Sequence, residues 1–249
     1  MNCPVCKSGN TTLFLERLNV PVHQNLVCNT WEEALNVKRG DLSLVECECG
    51  FVFNQSFDES LLSYGERYNN DQMASEVFNE YVDSIVEYLG LRNQSIIEIG
   101  CGNGAFLKKL CAENDGVGYD PSYIGPLENG RVSFVQGYYE GRPCDIVVCR
   151  HVIEHVPDPV GLIATINAPR VFSETPNLDW IIENDTWWDF FYEHCNYFTA
   201  GTLRYAFALA GFDGRAREAF GGQYLWYEGR YMGGRREGCN IPQYGRPKF

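Results

Sequence analysis

In EIGCGNGAF, residues 98–106, Gly100, Gly102 and Gly104 alternate with Cys101 and Asn103. Glycines at this spacing let the backbone turn tightly and come close to a ligand, and a helix starting just beyond offers unpaired N–H groups. Asp120 ends the next apolar run, GVGYD, with Pro121 after it. A carboxylate at such a strand tip accepts hydrogen bonds from both hydroxyls of a ribose. A nucleoside-type cofactor is expected at this loop. The run also fits G-x-G-x-x-A with Ala105 last, so a dinucleotide such as NAD satisfies the pattern as well. Glu98, two places before the first glycine, and the early third glycine favour S-adenosylmethionine, which brings a ribose and an amino-acid tail but no diphosphate.

Two cysteine pairs carry a second chemistry. Cys3 and Cys6 form CPVC, and Cys47 and Cys49 form CEC ahead of Gly50. Thiolate pairs beside turn residues are what a tetrahedral zinc site needs from a segment too short to build its own core. Four thiolates leave no position for water, so such a site is structural. His23 and Cys28 lie between the pairs as alternative ligands. Cys111, Cys144, Cys149 and Cys195 sit in apolar runs, where a free cysteine behaves as a small hydrophobe.

Histidines mark two more stretches. HVIEH sets His151, Glu154 and His155 in the H-x-x-E-H order of one class of zinc proteases. That motif needs a helix, whereas this one follows directly on the apolar run CDIVVC and is cut short by Pro157 and Pro159. FFYEHCNYF, residues 190–198, places Tyr192, Glu193 and His194 among aromatics. A histidine that titrates near neutral pH, held in an apolar pocket, is suited to taking a proton from an acceptor. The same composition also describes an aromatic plug around a satisfied histidine.

These groups need elements to hold them. SIIEIG, GVGYD, VSFVQG, CDIVVC and RVFSETP read as strands, with AFLKKLCAEN as a helix between the first two, so an α/β unit with a mainly parallel sheet is expected. AFGGQYLWYEG could close that sheet. Phe78, Val82, Ile85, Val86 and Leu89 fall at helical spacing and stop at Gly90, giving linking helices over residues 61–92. Residues 1–60 alternate NLVC, LSLVEC and GFVF with turns and form the cysteine lobe. Residues 93–230 form the larger unit, and 231–249 an irregular tail.

The loop, the acidic strand tip and their order resemble the first motifs of class I S-adenosylmethionine-dependent methyltransferases. The resemblance implies a Rossmann-like methyltransferase sheet, with Glu98, Gly100, Cys101, Gly102, Asn103 and Gly104 at the methionine moiety and Asp120 and Pro121 at the ribose. It places Gly137 and Tyr138 beside the adenine, and Arg150 and His151 near the methionine end. CPVC, the later CEC, Tyr64 and Tyr68 before the linking helix, and the EH-containing aromatic segment are similar to the subgroup with an N-terminal zinc-binding lobe. That subgroup includes C-methyltransferases of nucleotide-linked deoxysugars, in which a histidine of a YHEH segment is the general base; here the segment reads FYEH. His194 is then the expected base, with Glu193 and Tyr192 beside it.

Composition narrows the partners. A formal net charge of -13 and the lack of a basic stripe oppose a phosphate backbone and an anionic membrane surface, so a small-molecule substrate is expected and nucleic acid is not. There is no long apolar run and no secretion-type N-terminus, which gives the expectation of a soluble, cytoplasmic protein. Oligomeric state is open. Two non-methyltransferase readings remain: a zinc-lobed module that binds the cofactor without catalysis, and an NAD-dependent oxidoreductase.

Overall fold

The structure, a computed structural model, describes residues 1–63 and 75–234. Tyr64, Tyr68, the start of the linking segment and residues 235–249 lie outside the described residues. Among the described residues, no helix is long and apolar enough to cross a membrane.

Among the described residues, twelve strands form two sheets. The N-terminal sheet begins with β1 (Thr11–Pro21), β2 (Arg39–Cys47) and β3 (Val52–Asn54), all antiparallel, with the short helix α1 (Trp31–Leu35) in the first connection. NLVC, expected as a strand, is instead an irregular strap between β1 and α1. The helix α2 (Glu76–Leu89) follows. Its N-cap Ser75 accepts from the Phe78 amide, and Gly90 ends it in a left-handed conformation.

The large sheet comes next: β4 (Ser95–Ile99), α3 (Ala105–Leu110), β5 (Asp115–Tyr119), β6 (Glu128–Asn129), β7 (Val132–Val135), β8 (Ile146–Arg150), α4 (Pro159–Ala164), β9 (Arg170–Pro176) and α5 (Leu178–Glu183). After α5 come the two-residue β10 (Asn196–Tyr197), α6 (Ala200–Leu209), β11 (Phe212–Ala219) and β12 (Tyr224–Tyr231). The strand order is β11-β12-β9-β8-β4-β5-β7-β6. Strands β9, β8, β4, β5 and β7 are parallel, while β12 and β11 add an antiparallel hairpin at one edge. This is the mainly parallel α/β sheet that the sequence predicts, with AFGGQYLWYEG closing it.

The period of two along each strand divides the core between the faces. Ile97, Val147, Val171 and Leu225 point to the side of α6, where Leu203, Ala206 and Phe207 meet them. Ile96, Ile146, Val148 and Phe172 point to the side of α2 and α3, against Phe78, Val82 and Leu107. The cysteine lobe packs on the first face, where Phe51 meets Phe198 edge-on at 5.0 Å.

The two sheets are joined by the aromatic segment. β10 pairs with β3, so residues just after His194 supply the edge strand of the N-terminal sheet.

Candidate functional site

The glycine loop leaves β4 and enters α3 as expected. Gly100 and Gly104 take φ of 71° and 75°, which favours glycine, and a Cβ on either would lie 2.1 Å from Val152 or 2.3 Å from Phe134. At Gly102 a Cβ would meet nothing within 4 Å, so the outer face of the loop is open to a ligand. The Gly102 amide donates to Asp120 Oδ2 at 2.9 Å, and Ser122 binds the other oxygen through its amide and hydroxyl at 2.8 and 2.7 Å. Loop and strand tip thus form one held unit, as a cofactor with a ribose requires. Asn103 caps the loop by accepting from the Ala105 amide. Gly137 donates to the Asp120 carbonyl, while Pro121 and Tyr138 are exposed on the same rim.

Three of the expected cofactor contacts face inward. The Cys101 thiol is buried where a Cβ on Gly118 would collide with it, so only its backbone faces the loop's opening. Glu98 is buried under the loop, and burial pushes its carboxyl up to about 8. The Arg150 guanidinium, which the sequence places at the methionine end, donates twice to Glu174 Oε1, at 3.1 and 2.7 Å, and covers the Phe106 ring at 4.3 Å.

His151 begins the turn after β8 in a left-handed conformation, φ 52°, that a non-glycine residue rarely adopts. Its Nε2 lies 2.8 Å from Glu174 Oε1 and its Nδ1 3.5 Å from Glu154 Oε1. Burial works against a charged His151, but the flanking Glu154 and Glu174 outweigh it and hold the ring's pKa up at about 9. Burial likewise opposes a charged Glu174, but Arg150 and His151 hold it at about 2. The Tyr81 hydroxyl binds the second Glu174 oxygen. HVIEH forms turns and not a helix, so the protease geometry does not arise.

The aromatic segment brings His194 to His151 and His155 at a cavity of about 250 Å³, lined also by Asp189, Phe191, Gln223 and Tyr224. The His194 and His155 rings meet at 4.6 Å, nearly perpendicular. His194 Nδ1 is buried with no hydrogen-bond partner, and burial followed by the neighbouring histidines holds this ring's pKa well below its ordinary value. His155 Nδ1 sits 3.0 Å from the Glu193 carbonyl oxygen, and burial lowers its pKa too.

Tyr192 and Glu193 do not line this cavity. Tyr192 points into the N-terminal lobe, where its hydroxyl accepts from the Asp58 amide at 2.8 Å and its ring stacks near Phe57 at 5.4 Å. Glu193 is fully buried. Tyr192 and Glu193 lie in a turn closed by the His194 amide on the Phe191 carbonyl at 3.2 Å, and of the three only His194 lines the cavity. Sequence reasoning missed Glu174, Gln223 and Tyr224, together with Gln24 and Asn25, which the strap of the N-terminal lobe contributes to the wall. Their only signal was position at strand ends and in a loop.

The cysteine lobe fits a metal. The sulfurs of Cys3, Cys6, Cys47 and Cys49 lie within 4.8 Å of one another, with Cys3–Cys49 at 3.8 Å and Cys6–Cys47 at 3.4 Å. Zinc–sulfur bonds of about 2.3 Å in a tetrahedron put sulfurs about 3.8 Å apart. Hydrogen bonding from Cys49 pulls Cys3 down to about 5, while burial pushes Cys47 up to about 12. Four cysteine sulfurs this close could together hold one metal ion. His23 accepts from the Ser63 amide at 3.0 Å, and neither His23 nor Cys28 belongs to this cluster.

The geometry agrees with comparisons to known proteins. The curated ubiquinone biosynthesis O-methyltransferase of Nitrosomonas europaea is 33% identical over 98 residues, covering 33% of this chain and 41% of that protein. Its counterpart from Yersinia enterocolitica is 29% identical over 89 residues, covering 30% and 37%. The chain therefore spans less than half the length of these relatives. A structure of human N-acetylserotonin methyltransferase in complex with SAM superposes with a TM-score of 0.54 at 15% identity, covering 65% of this chain and 55% of that one, and shows a common fold. A family described as a methyltransferase domain matches residues 73–216, more than half of the chain. With its glycine loop, acidic strand tip and parallel sheet, the chain carries a class I S-adenosylmethionine-dependent methyltransferase domain and belongs to that family.

Proposed function

We propose that the protein transfers the methyl group of S-adenosylmethionine to a small-molecule acceptor bound in the histidine-lined cavity, and that His194 acts on the acceptor and not on the cofactor. One observation carries this reading. His194 reaches a polar cavity with an unpartnered buried ring nitrogen, and that cavity is walled by the His151–His155 turn, whose Val152 packs on Gly100 of the cofactor loop. The sulfonium already activates the methyl group, so the protein must supply a nucleophile, aligned and close.

The sequence resemblance implies C-methylation of a keto sugar or a related metabolite. In that form His194 is the general base. It takes the proton next to the carbonyl, the enolate carbon attacks the methyl, the S–CH3 bond breaks and S-adenosylhomocysteine leaves. The names of the curated relatives favour a second form, in which a hydroxyl oxygen gives up the proton and takes the methyl. The amides of Gln24 and Gln223 in the wall suit an oxygenated acceptor in either form. Zinc held by Cys3, Cys6, Cys47 and Cys49 serves the fold of the lobe and not the reaction.

Calorimetry with S-adenosylhomocysteine and with NAD tests the cofactor; tight binding of NAD alone would replace this reading with an oxidoreductase. Turnover is then followed on keto-sugar nucleotides and on phenols. His194→Ala should abolish turnover while leaving S-adenosylhomocysteine affinity nearly unchanged. Binding of that product without turnover on any acceptor would point to a non-catalytic module.

A further inference from the structure

Two residues of the HVIEH turn and one of the aromatic segment converge at a single point. A carboxylate oxygen of Glu154 and ring nitrogens of His155 and His194 all lie within 4.8 Å of one another, and the two histidines line the cavity. Each group is prepared as a ligand. The contact of His155 Nδ1 with the Glu193 carbonyl places the ring proton on Nδ1 and leaves the Nε2 lone pair free, which is how metal-ligating histidines are oriented. The Thr175 hydroxyl donates to Glu154 Oε2 at 3.0 Å and fixes the carboxylate, while Oε1 is buried and has no hydrogen-bond partner.

His194 Nδ1 is also buried and unpartnered. A buried polar group without a partner is costly, and here two of them lie in one small cluster. A single proton cannot serve three converging acceptors. A cation can. Glu174 is matched by Arg150 and His151, and Glu154 Oε1 faces His151 Nδ1 at 3.5 Å, so Glu154 is the carboxylate shared between that ring and the cluster.

We propose that Glu154, His155 and His194 form a second metal site, for a divalent first-row transition ion. Two imidazoles and a carboxylate suit such ions better than magnesium or calcium. Three protein ligands leave positions open to the cavity, as catalytic zinc sites do and the four-cysteine cluster does not. The role of the ion rests on the cavity being the acceptor pocket: it would bind a hydroxyl or carbonyl oxygen of the acceptor, and His194 would act on the acceptor through the ion.

The test uses the full chain, dialysed against zinc and freed of loosely held metal. Zinc content should exceed that of the Glu154→Gln, His155→Asn double variant by one equivalent per chain. Cobalt(II) added to wild-type protein whose cysteines already hold zinc should give visible ligand-field bands without thiolate charge transfer. Equal zinc contents and no such bands would overturn the site. If the double variant fails to fold by circular dichroism, the cobalt spectrum of the wild type decides alone. S-adenosylhomocysteine affinity is measured on the same samples. Its absence refutes methyl transfer and leaves the metal result standing, whereas affinity without metal refutes the ion and keeps His194 as the base.

Discussion

Phe53 of the N-terminal sheet pairs backbone to backbone with Asn196, two residues beyond His194. The Asn54 amide continues the contact by donating to the Cys195 carbonyl at 2.9 Å. β3 follows directly on the turn that carries Cys47 and Cys49, so the cysteine cluster, the turn and the His194 segment form one mechanical chain. Stripping metal from the cysteines should therefore loosen residues 190–198 while the glycine loop stays bound to its cofactor. Hydrogen exchange with and without a chelator, in the presence of S-adenosylhomocysteine, checks this. Unchanged protection of 190–198 would show that the lobe does not brace the segment.

Tyr192 is a structural residue in this arrangement. Its ring fills the space over Gly40, where a Cβ would sit 2.4 Å away, and its hydroxyl holds the Asp58 amide. Tyr192→Phe should lower stability by about 1 kcal/mol, the usual worth of one hydrogen bond, and leave turnover intact. Gly40→Ala should cost more, about 1–3 kcal/mol, because the ring has to move. Urea midpoints of the two variants measure this. A collapse of turnover in Tyr192→Phe with stability preserved would return the residue to the chemistry.

Asp120 ties the cofactor loop to the strand beside it through Gly102. Replacing it with alanine removes both the proposed ribose acceptor and the anchor of that amide. S-adenosylhomocysteine affinity should fall at least about tenfold, or ~1.4 kcal/mol. Zinc content at the distant cysteines should not change. Titration calorimetry and metal analysis on the same sample distinguish this from general unfolding.

Glu98 gives a pH dependence whose sign follows from burial. Its folded pKa, pushed up to about 8, lies above that of an unfolded glutamate. The native state thus holds a proton that the unfolded state releases. This contribution to stability is fully present below about pH 4 and is lost as pH rises through the folded value. Glu98→Gln keeps the shape and removes the titration. The variant should gain on the wild type between about pH 5 and about pH 9, read from urea midpoints. Parallel curves would mean that Glu98 is ionised in the native protein.

Much of the scaffold was legible along the chain because its signals are local. Ile96 to Ile99 alternate between the two faces of a strand, Gly90 stops a helix, and Gly100 and Gly104 mark a turn that no larger residue fits. The cysteine pairs announced their own cluster, since CPVC and CEC are each made by a single turn. NLVC departs from the expected strand because three apolar residues in a row do not by themselves decide between a strand and a strap. The partner of Arg150 is not legible for a different reason: Glu174 sits on the next strand of the sheet, a neighbour that only pairing reveals.

The sequence alone therefore determined the class of fold, the glycine loop with its acidic strand tip, and the closeness of the four sulfurs, because each depends on spacing within one turn or one strand. Tertiary structure decided which way the aromatic segment faces. Pairing of β10 with β3 sends Tyr192 into the lobe and His194 into the cavity, and the turn after β8 carries Glu154 and His155 to meet it. Those groups are some forty residues apart in the chain. Their meeting depends on how two sheets dock, and no local propensity encodes that.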